Sequence, residues 1–152
     1  MDVALYQPEI PWNTGNVGRT CVAAGARLHL IEPLGFTISE RRLKRAGMDY
    51  WARLDLRRHE SFEAFLAALP AGAPLLAFSA QGDVDYWDAP LTADCCLLFG
   101  RESTGLPPEV LARCSRVCRI PMRAGERSLN LSTSAALALY EGLRQQRHNK
   151  PA

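Results

Sequence analysis

The stretch that decides the fold is IPMRAGERSLNLSTSAALALYE, residues 120–141, in which a polar loop runs directly into a strongly apolar helix. Leu131, Ala135 and Leu139 recur at the four-residue spacing of one helical face, and Tyr140 puts an apolar group on another side. A helix that is apolar on more than one face must be covered on more than one face. The second cover is either the rest of the monomer or another subunit, and the sequence favours neither.

The composition describes a single globular domain over residues 1–152. The 152 residues are 47% apolar and 22% charged, which is enough for one core and too few for two ordinary domains. A net charge of +2, from 18 Lys and Arg against 16 Asp and Glu, excludes a polycationic nucleic-acid binder but not a local basic face. The polar residues 145–152 are expected to form a flexible tail.

Neither a targeting segment nor a membrane span is predicted, so we expect a cytoplasmic protein with no membrane partner. The uncharged residues 64–82 are interrupted by Pro70, Gly72 and Pro74, which indicates a helix end, a turn and a buried strand. The five cysteines include one adjacent pair and no CxxC motif. Neither a disulfide framework nor a zinc site is therefore expected.

Short apolar runs alternate with helical patterns and predict an α/β domain. The predicted strands are residues 3–6, 28–31, 75–79, 96–99 and 117–120, with a weaker candidate near 53–56. Most of these runs are continuously apolar, which is typical of a parallel sheet buried on both faces. Ser61 is predicted to cap one helix that Pro70 ends, and Gly25 is predicted to end another. We therefore expect a mainly parallel sheet with helices on both faces.

Three segments rich in Gly, Asn, Ser and Pro flank these strands, as ligand-binding loops do in α/β proteins. They are residues 11–19, 99–107 and 120–132. In the first segment, Asn13 or Thr14 can cap the helix that follows. Arg19 is placed to grip a phosphate, although a capped helix with a surface arginine is the commoner meaning of such a segment.

The second segment has the glycine spacing of a P-loop without its chemistry. Gly100 and Gly105 match that spacing, but Leu106 and Pro107 stand where a P-loop needs Lys and Ser or Thr. No GxGxxG motif follows a strand either, so a dinucleotide site lacks support. The remaining interpretations are an ordinary turn, or a loop containing one acid, Glu102, that holds a small ligand through main-chain groups.

In the third segment, Ser128 and Asn130 stand at the entrance of the last helix. Capping alone explains one of them, and two together raise the expectation of a site. The three histidines, His29, His59 and His148, lie outside all three segments. A hydrolytic Ser–His site is therefore disfavoured.

A local basic stretch, residues 41–58, indicates a nucleic-acid face. It holds Arg41, Arg42, Lys44, Arg45, Arg53, Arg57 and Arg58. Tyr50 and Trp51 are interleaved with these cations, which neutralise phosphates while aromatic rings stack on unpaired bases. A solvated helix face is the alternative, but the arginines of the second and third segments favour RNA, in single-stranded loops rather than duplex.

Together the three segments closely resemble the motifs of the SPOUT-type RNA 2′-O-ribose methyltransferases. The matching stretches are NTGNVGR (residues 13–19), LLFGRESTGLP (97–107) and residues 120–141. With IEPLGF (31–36) and KRAGMDYW (44–51), the chain is similar to the minimal TrmL/YibK-like branch, which modifies the wobble nucleotide of leucine tRNAs. The resemblance implies a single SPOUT domain with a C-terminal trefoil knot, acting as a homodimer on a tRNA anticodon stem-loop.

The resemblance also implies a cofactor and a set of site residues. The methyl donor is S-adenosylmethionine, and no metal is needed. By position, the cofactor contacts are Phe78, Ser79, Gly100, Glu102, Ile120, Ser128 and Leu129, and the catalytic residues are Arg19, Ser128 and Asn130. Because a guanidinium is a poor general base, Arg19, reaching over from the other subunit, is expected to stabilise a phosphate or oxyanion. Ser128 and Asn130 would orient Arg19 or the ribose. A noncatalytic RNA-binding module on the same scaffold is the alternative.

Overall fold

The chain folds around one parallel β-sheet. The computed structural model of the protein describes residues 1–38 and 49–148. Its strands are β1 (Asp2–Tyr6), β2 (Arg27–Ile31), β3 (Leu56–His59), β4 (Leu75–Phe78), β5 (Val84–Asp85), β6 (Cys96–Phe99) and β7 (Arg116–Arg119). Within the described residues these seven strands form one sheet in the order β3-β2-β1-β6-β4-β7-β5, and all neighbours run parallel.

Helices cover both faces of this sheet. They are α1 (Pro11–Ala24), α2 (Phe62–Ala68), α3 (Pro108–Leu111) and α4 (Leu131–His148), and a 3-10 helix spans Asp49–Arg53. Successive strand residues point to opposite faces. On β1, Val3 and Leu5 therefore pack in the cluster that includes α1 and α4, whereas Ala4 packs in the cluster that includes α2 and α3. The expected mainly parallel sheet with helices on both faces is confirmed.

Two strands differ from the sequence prediction. The weak candidate near residues 53–56 begins later, as β3, because the 3-10 helix extends through Arg53. The strand β5 was not predicted, since its two residues, Val84 and Asp85, are too few to form an apolar run. The predicted cap at Ser61 is confirmed, because its side chain accepts a hydrogen bond from the Ala64 amide at 3.1 Å.

Helix α1 begins earlier than expected, which corrects the interpretation of residues 11–19 as a loop. Pro11 occupies the first turn, where its missing N–H costs nothing, and Ile10 stands at the N-cap without a side-chain hydrogen bond. Asn13 and Thr14, the predicted caps, instead lie buried inside the helix. Gly25 ends α1 as predicted, in the left-handed conformation with φ 68°.

Helix α4 is only partly covered by its own chain. It packs on α1 and buries Ala135 and Leu139, while Tyr140 keeps 51% of its surface exposed. The helix also extends to His148, so residues 145–148 are helical rather than frayed. Gln145 helps to hold this end, because its side-chain oxygen accepts a hydrogen bond from the Leu91 amide. The rest of the expected tail, residues 149–152, lies outside the described residues.

None of the helices in the described part of the chain combines the length and apolarity that a membrane span requires.

A pair of histidines lies beneath α2 at the edge of the sheet. His29 on β2 and His59 on β3 share a hydrogen bond of 2.9 Å between Nδ1 and Nε2, and Phe65 packs edge-on against both rings. The other ring nitrogen of His29 lies 3.3 Å from an Asp2 carboxylate oxygen. Burial lowers the pKa of both imidazoles below the ordinary value of 6.5, although Asp2 opposes this for His29.

Because of His29 and His59, we expect the free energy of unfolding to decrease as the pH is lowered. The unfolded chain binds protons near pH 6.5, whereas the folded imidazoles bind them only at lower pH. The contribution of the histidine pair to stability is therefore fully present above pH 6.5. It is lost as the pH falls through the folded pKa values, by at most about 1.4 kcal/mol per pH unit for each proton bound.

Urea unfolding at fixed protein concentration, from about pH 7.5 to about pH 5.5, measures this slope. His59→Gln should flatten it, and His148→Gln, at an exposed position on α4, is the matched control. An unchanged slope in His59→Gln would contradict the assignment.

Candidate active site

A cleft of about 530 Å³ opens beyond the carboxyl ends of β4, β6 and β7. Parallel sheets bind ligands at this edge, because the loops that leave the strands meet there. The cleft is formed by residues that follow each strand and by the start of α4, including Ser79, Gly100, Ile120 and Leu131. Its volume lies in the range of ordinary small-molecule sites.

The cleft brings together nearly all of the predicted site residues. Its lining includes Phe78, Ser79, Gly100, Glu102, Ile120, Ser128, Leu129 and Asn130. The exception is Arg19, which lies on the exposed side of α1 and does not line the cleft of its own chain. Contact of these residues with a cofactor remains a prediction.

The cleft presents both apolar and polar groups. Phe78 and Phe99 stack at the base with their ring centroids 4.8 Å apart, and both are buried. Leu106 and Ile120 extend the apolar surface, and Ser128 lies at the exposed rim. Such a site can hold a flat heterocycle between side chains while polar groups fix its orientation.

The loop after β6 makes a tight reversal that requires glycine. A Cβ on Gly100 would lie 2.2 Å from the carbonyl carbon of Gly105, which no side chain can occupy. The reversal is closed by paired backbone hydrogen bonds of 3.1 and 2.9 Å between Arg101 and Gly105. Gly105 has φ 71°, a conformation that favours glycine. The two glycines with P-loop spacing, Gly100 and Gly105, are therefore required by the backbone bridge between Arg101 and Gly105 rather than by a phosphate.

The carboxylate of Glu102 ties this loop to the start of α1. One oxygen accepts a hydrogen bond from the Glu9 amide at 2.7 Å. The other accepts from the Ile10 amide at 3.2 Å and from the Asn13 side chain at 3.1 Å. These bonds occupy three of roughly four acceptor positions that a carboxylate offers. From a distant loop, Glu102 thus holds the two residues that lead into α1 and the Asn13 side chain in its first turn.

Glu9 makes the same contact in the opposite direction. Its two carboxylate oxygens accept from the backbone amide and the hydroxyl of Ser103, each at 2.8 Å. These hydrogen bonds, the hydroxyl foremost, lower the pKa of Glu9 below 4.5. The two acids therefore clasp the loop and the helix start from both sides.

Asn130 joins α4 to this network. Its side-chain oxygen accepts from the amides of Ser132 and Thr133, at 2.9 and 3.3 Å, and so caps α4. Its side-chain nitrogen donates to the Asn13 oxygen at 2.9 Å. A continuous chain of hydrogen bonds thus runs from Glu102 through Asn13 to Asn130, uniting the two helix starts and the loop after β6.

Sequence reasoning did not find Asn13 as a member of the site. The available signal was its spacing, because Asn13 precedes Val17 and Cys21 at four-residue intervals on the stripe that α1 buries. An amide on a buried stripe needs polar partners from elsewhere in the fold. That need marks a tertiary contact rather than a cap.

The predicted basic face is only partly described. Arg41, Arg42, Lys44 and Arg45 lie outside the described residues. Arg57 pairs with Asp55 at 3.1 Å and Arg58 pairs with Glu32, which reduces the net positive charge of the described part. Tyr50 is 7% exposed, so it cannot stack on an RNA base as predicted. Within residues 1–38 and 49–148, no group of three or more His, Cys, Asp and Glu side chains could hold a metal ion.

A parallel α/β sheet with a cofactor-sized cleft at its carboxyl edge and a glycine-closed loop defines the class of a nucleotide- or cofactor-binding enzyme. The model of the SpoU rRNA Methylase family matches residues 1–140, and the chain therefore belongs to this family of methyltransferases. It is 45% identical to the tRNA (cytidine(34)-2′-O)-methyltransferase of Burkholderia ambifaria over 147 residues, covering 95% of this chain and 94% of the relative.

Solved structures share the fold. One, described as giving structural insights into the 2-OH methylation of C/U34 on tRNA, is 53% identical with a TM-score of 0.92, and 97% of each chain is covered. The SpoU methyltransferase AviRb from Streptomyces viridochromogenes, solved in complex with the cofactor AdoMet, is 25% identical with a TM-score of 0.85. That alignment covers 98% of this chain and 61% of the AviRb chain.

We expect Glu102→Gln to destabilise the protein by about 1–2 kcal/mol, because an amide nitrogen would face one of the three donors and leave it without an acceptor. Urea unfolding measures the loss, and Glu126→Gln, in the exposed loop before α4, is the control. Equal stability of the two variants would show that the carboxylate is dispensable.

Proposed function

We propose that the chain is an S-adenosylmethionine-dependent tRNA (cytidine/uridine-34) 2′-O-methyltransferase that acts on the wobble nucleotide of leucine tRNAs. The observation that carries this proposal is the cleft itself, which gathers every residue predicted to contact the cofactor. The activity named for the Burkholderia ambifaria relative supports the substrate class. A cytoplasmic location follows from a tRNA substrate.

The cleft suits S-adenosylmethionine. Ile120, Met122 and Leu129 line the cleft and keep part of their surface exposed, so they offer apolar contacts for an adenine ring. The tight loop at Gly100 places main-chain groups beside them. AviRb, of the same family, binds AdoMet. When bound, the cofactor supplies a methyl group on a sulfonium, and the reaction needs an acceptor hydroxyl aligned with it.

The chain's own residues would divide the remaining work. Ser128 is exposed at the rim, where its hydroxyl can hydrogen-bond the ribose. Asn130 is engaged by α4 and by Asn13, so it acts by fixing the position of the rim. Arg19 would stabilise the developing negative charge on the acceptor oxygen, or a neighbouring phosphate, as a fixed positive charge.

A homodimer would bring Arg19 to the cleft of the partner subunit. Within one chain Arg19 stays outside the cleft, while Trp12 on α1 is 68% exposed and Tyr140 on α4 is 51% exposed. Large apolar side chains exposed on two packed helices are typical of a subunit interface. Joining two copies through these helices would cover the remaining apolar side of α4.

The proposal includes the C-terminal trefoil knot. Residues 79–86 run alongside β7, where the backbone amides of Ser79 and Tyr86 donate hydrogen bonds to the carbonyls of Cys118 and Arg119, both at 2.9 Å. Gly82 lies so close to this strand that an added Cβ would stand 2.5 Å from the Cys118 carbonyl carbon. The knot itself is proposed from the resemblance of the motifs to those of the SPOUT-type methyltransferases.

Transfer of labelled methyl groups to total tRNA, followed by nucleoside digestion, tests the function. The expected products are 2′-O-methylcytidine or 2′-O-methyluridine from the wobble position, and S-adenosylhomocysteine, unlike ATP, should raise the melting temperature. Methylation of a base would overturn the reaction. Tight tRNA binding without any transfer would favour the noncatalytic RNA-binding alternative.

We expect Arg19→Ala to abolish turnover while leaving S-adenosylhomocysteine affinity within about twofold, because the charge acts on the acceptor rather than on the cofactor. Calorimetric titration and the methyl-transfer assay separate the two effects. Normal turnover would remove Arg19 from the mechanism.

Mixed dimers test whether Arg19 acts across the interface. Ser128→Trp should block its own cleft while keeping Arg19, so co-expression with Arg19→Ala should restore activity to about a quarter of wild type under random pairing. Two inactive variants that remain inactive as a verified heterodimer would contradict action across the interface.

A further inference from the structure

Arg19 rests on an aromatic ring rather than on an acid. Its guanidinium carbon lies 5.0 Å from the centre of the Tyr50 ring, within the range of a cation–π contact. Among the ion pairs of the described residues, none includes Arg19. By contrast Arg27, Arg57 and Arg58 each contact a carboxylate.

Tyr50 is itself fixed to the helix that carries Arg19. Its hydroxyl donates a hydrogen bond of 2.6 Å to the carbonyl of Gly15 on α1, one turn before Arg19. The side chain is buried, and burial raises the pKa of its hydroxyl although the charge of Arg19 and a hydrogen bond with it oppose the rise, so the hydroxyl remains a protonated donor at neutral pH. The ring is thus held at a set position beneath the guanidinium.

The 3-10 helix that carries Tyr50 is packed closely on α1. A Cβ on Gly18 would lie 2.9 Å from the Trp51 ring and 3.1 Å from the Leu54 side chain. The glycine therefore allows a backbone approach that any other residue would widen. Gly15 and Gly18 together seat the 3-10 helix against the turn of α1 that presents Arg19.

A neutral partner has a chemical advantage for an arginine of this kind. A carboxylate would orient the guanidinium but would also neutralise the charge that a phosphate or oxyanion is meant to meet. An aromatic face restricts the same side chain while leaving its N–H donors and its charge available.

Resting on the role proposed for Arg19, we infer that Tyr50 is a positioning residue for methyl transfer, which holds the Arg19 guanidinium in its working orientation without neutralising it. Its part is to act through Arg19, and it touches neither cofactor nor substrate.

Two variants of Tyr50 test this inference. Tyr50→Leu removes the ring and should lower kcat about 30- to 100-fold, since small misplacements of a catalytic group cost that much. Tyr50→Phe keeps the ring but loses the bond to Gly15, and should lower kcat about three- to tenfold. Both should bind S-adenosylhomocysteine within about twofold of wild type, because Tyr50 lies outside the cleft. Tyr86→Leu, which removes a tyrosine ring elsewhere, is the matched control and should keep wild-type kcat.

A merely structural role predicts a different pattern, in which kcat and cofactor affinity fall together with the folded fraction. Tyr50→Leu with wild-type kcat, or with both quantities lowered in proportion, would overturn the inference. If Tyr50→Leu does not fold, the test rests on Tyr50→Phe, and an unchanged kcat in that variant would contradict the positioning role of Tyr50.

Coupling to Arg19 gives a second readout. In an Arg19→Lys background, Tyr50→Leu should change kcat by less than about threefold, because the group that it positions is already gone. Full additivity of the two effects would contradict action through Arg19. Failure of wild type to methylate tRNA would instead refute the proposed function, which the same assay detects separately.

Discussion

The structure depends on one partly buried chain of hydrogen bonds, in which the Asn13 side chain donates to the Glu102 carboxylate and accepts from the Asn130 side chain. These residues come from the loop after β6, from α1 and from the start of α4, and the sequence separates them by 89 and 117 positions. Replacing one of these three residues would leave partly buried donors or acceptors without partners. The free-energy cost of such unpaired groups exceeds the net contribution of the hydrogen bond itself. The geometry of the cleft is therefore tied to the packing of α1 on α4, the pair of helices that we propose as the subunit interface.

Local pattern predicted the sheet well and helix starts poorly. Continuous apolar runs reported both-face burial correctly, because that property belongs to each strand alone. The start of α1 was misplaced because the residues that lead into it are held by Glu102, which no local rule can associate with Ile10. Where the cap was local, the sequence did better: it predicted the cap at Ser61, and it limited the cap of α4 to Ser128 or Asn130, of which the structure shows Asn130.

The candidate site divides in the same way. The family resemblance named the residues that line the cleft, and their roles stay predictions. Loops that follow neighbouring parallel strands converge, which is why these residues lie together. The connections behind the lining were not predictable, because Asn13 and Tyr50 act through partners distant in sequence. Because of its basic surroundings, Tyr50 was predicted to stack on RNA bases. In the structure its ring is buried and contacts the Arg19 guanidinium instead. The sequence shows which side chains are neighbours along the chain, but only the folded structure shows which of them remain exposed.

The partner of each arginine, a carboxylate or an aromatic ring, separates the arginines that stabilise the fold from the one that we propose acts in catalysis. A surface arginine beside an acid contributes at most about 1 kcal/mol and presents little net charge to a ligand. Arg57 and Arg58 are of this kind, so the described part of the basic stretch offers less attraction to a polyanion than its sequence suggests. Arg19, by contrast, makes no ion pair with another described residue and lies against the neutral ring of Tyr50. In the dimer that we propose, built through α1 and α4, this charge would meet a phosphate or the acceptor oxygen of an RNA bound in the partner's cleft.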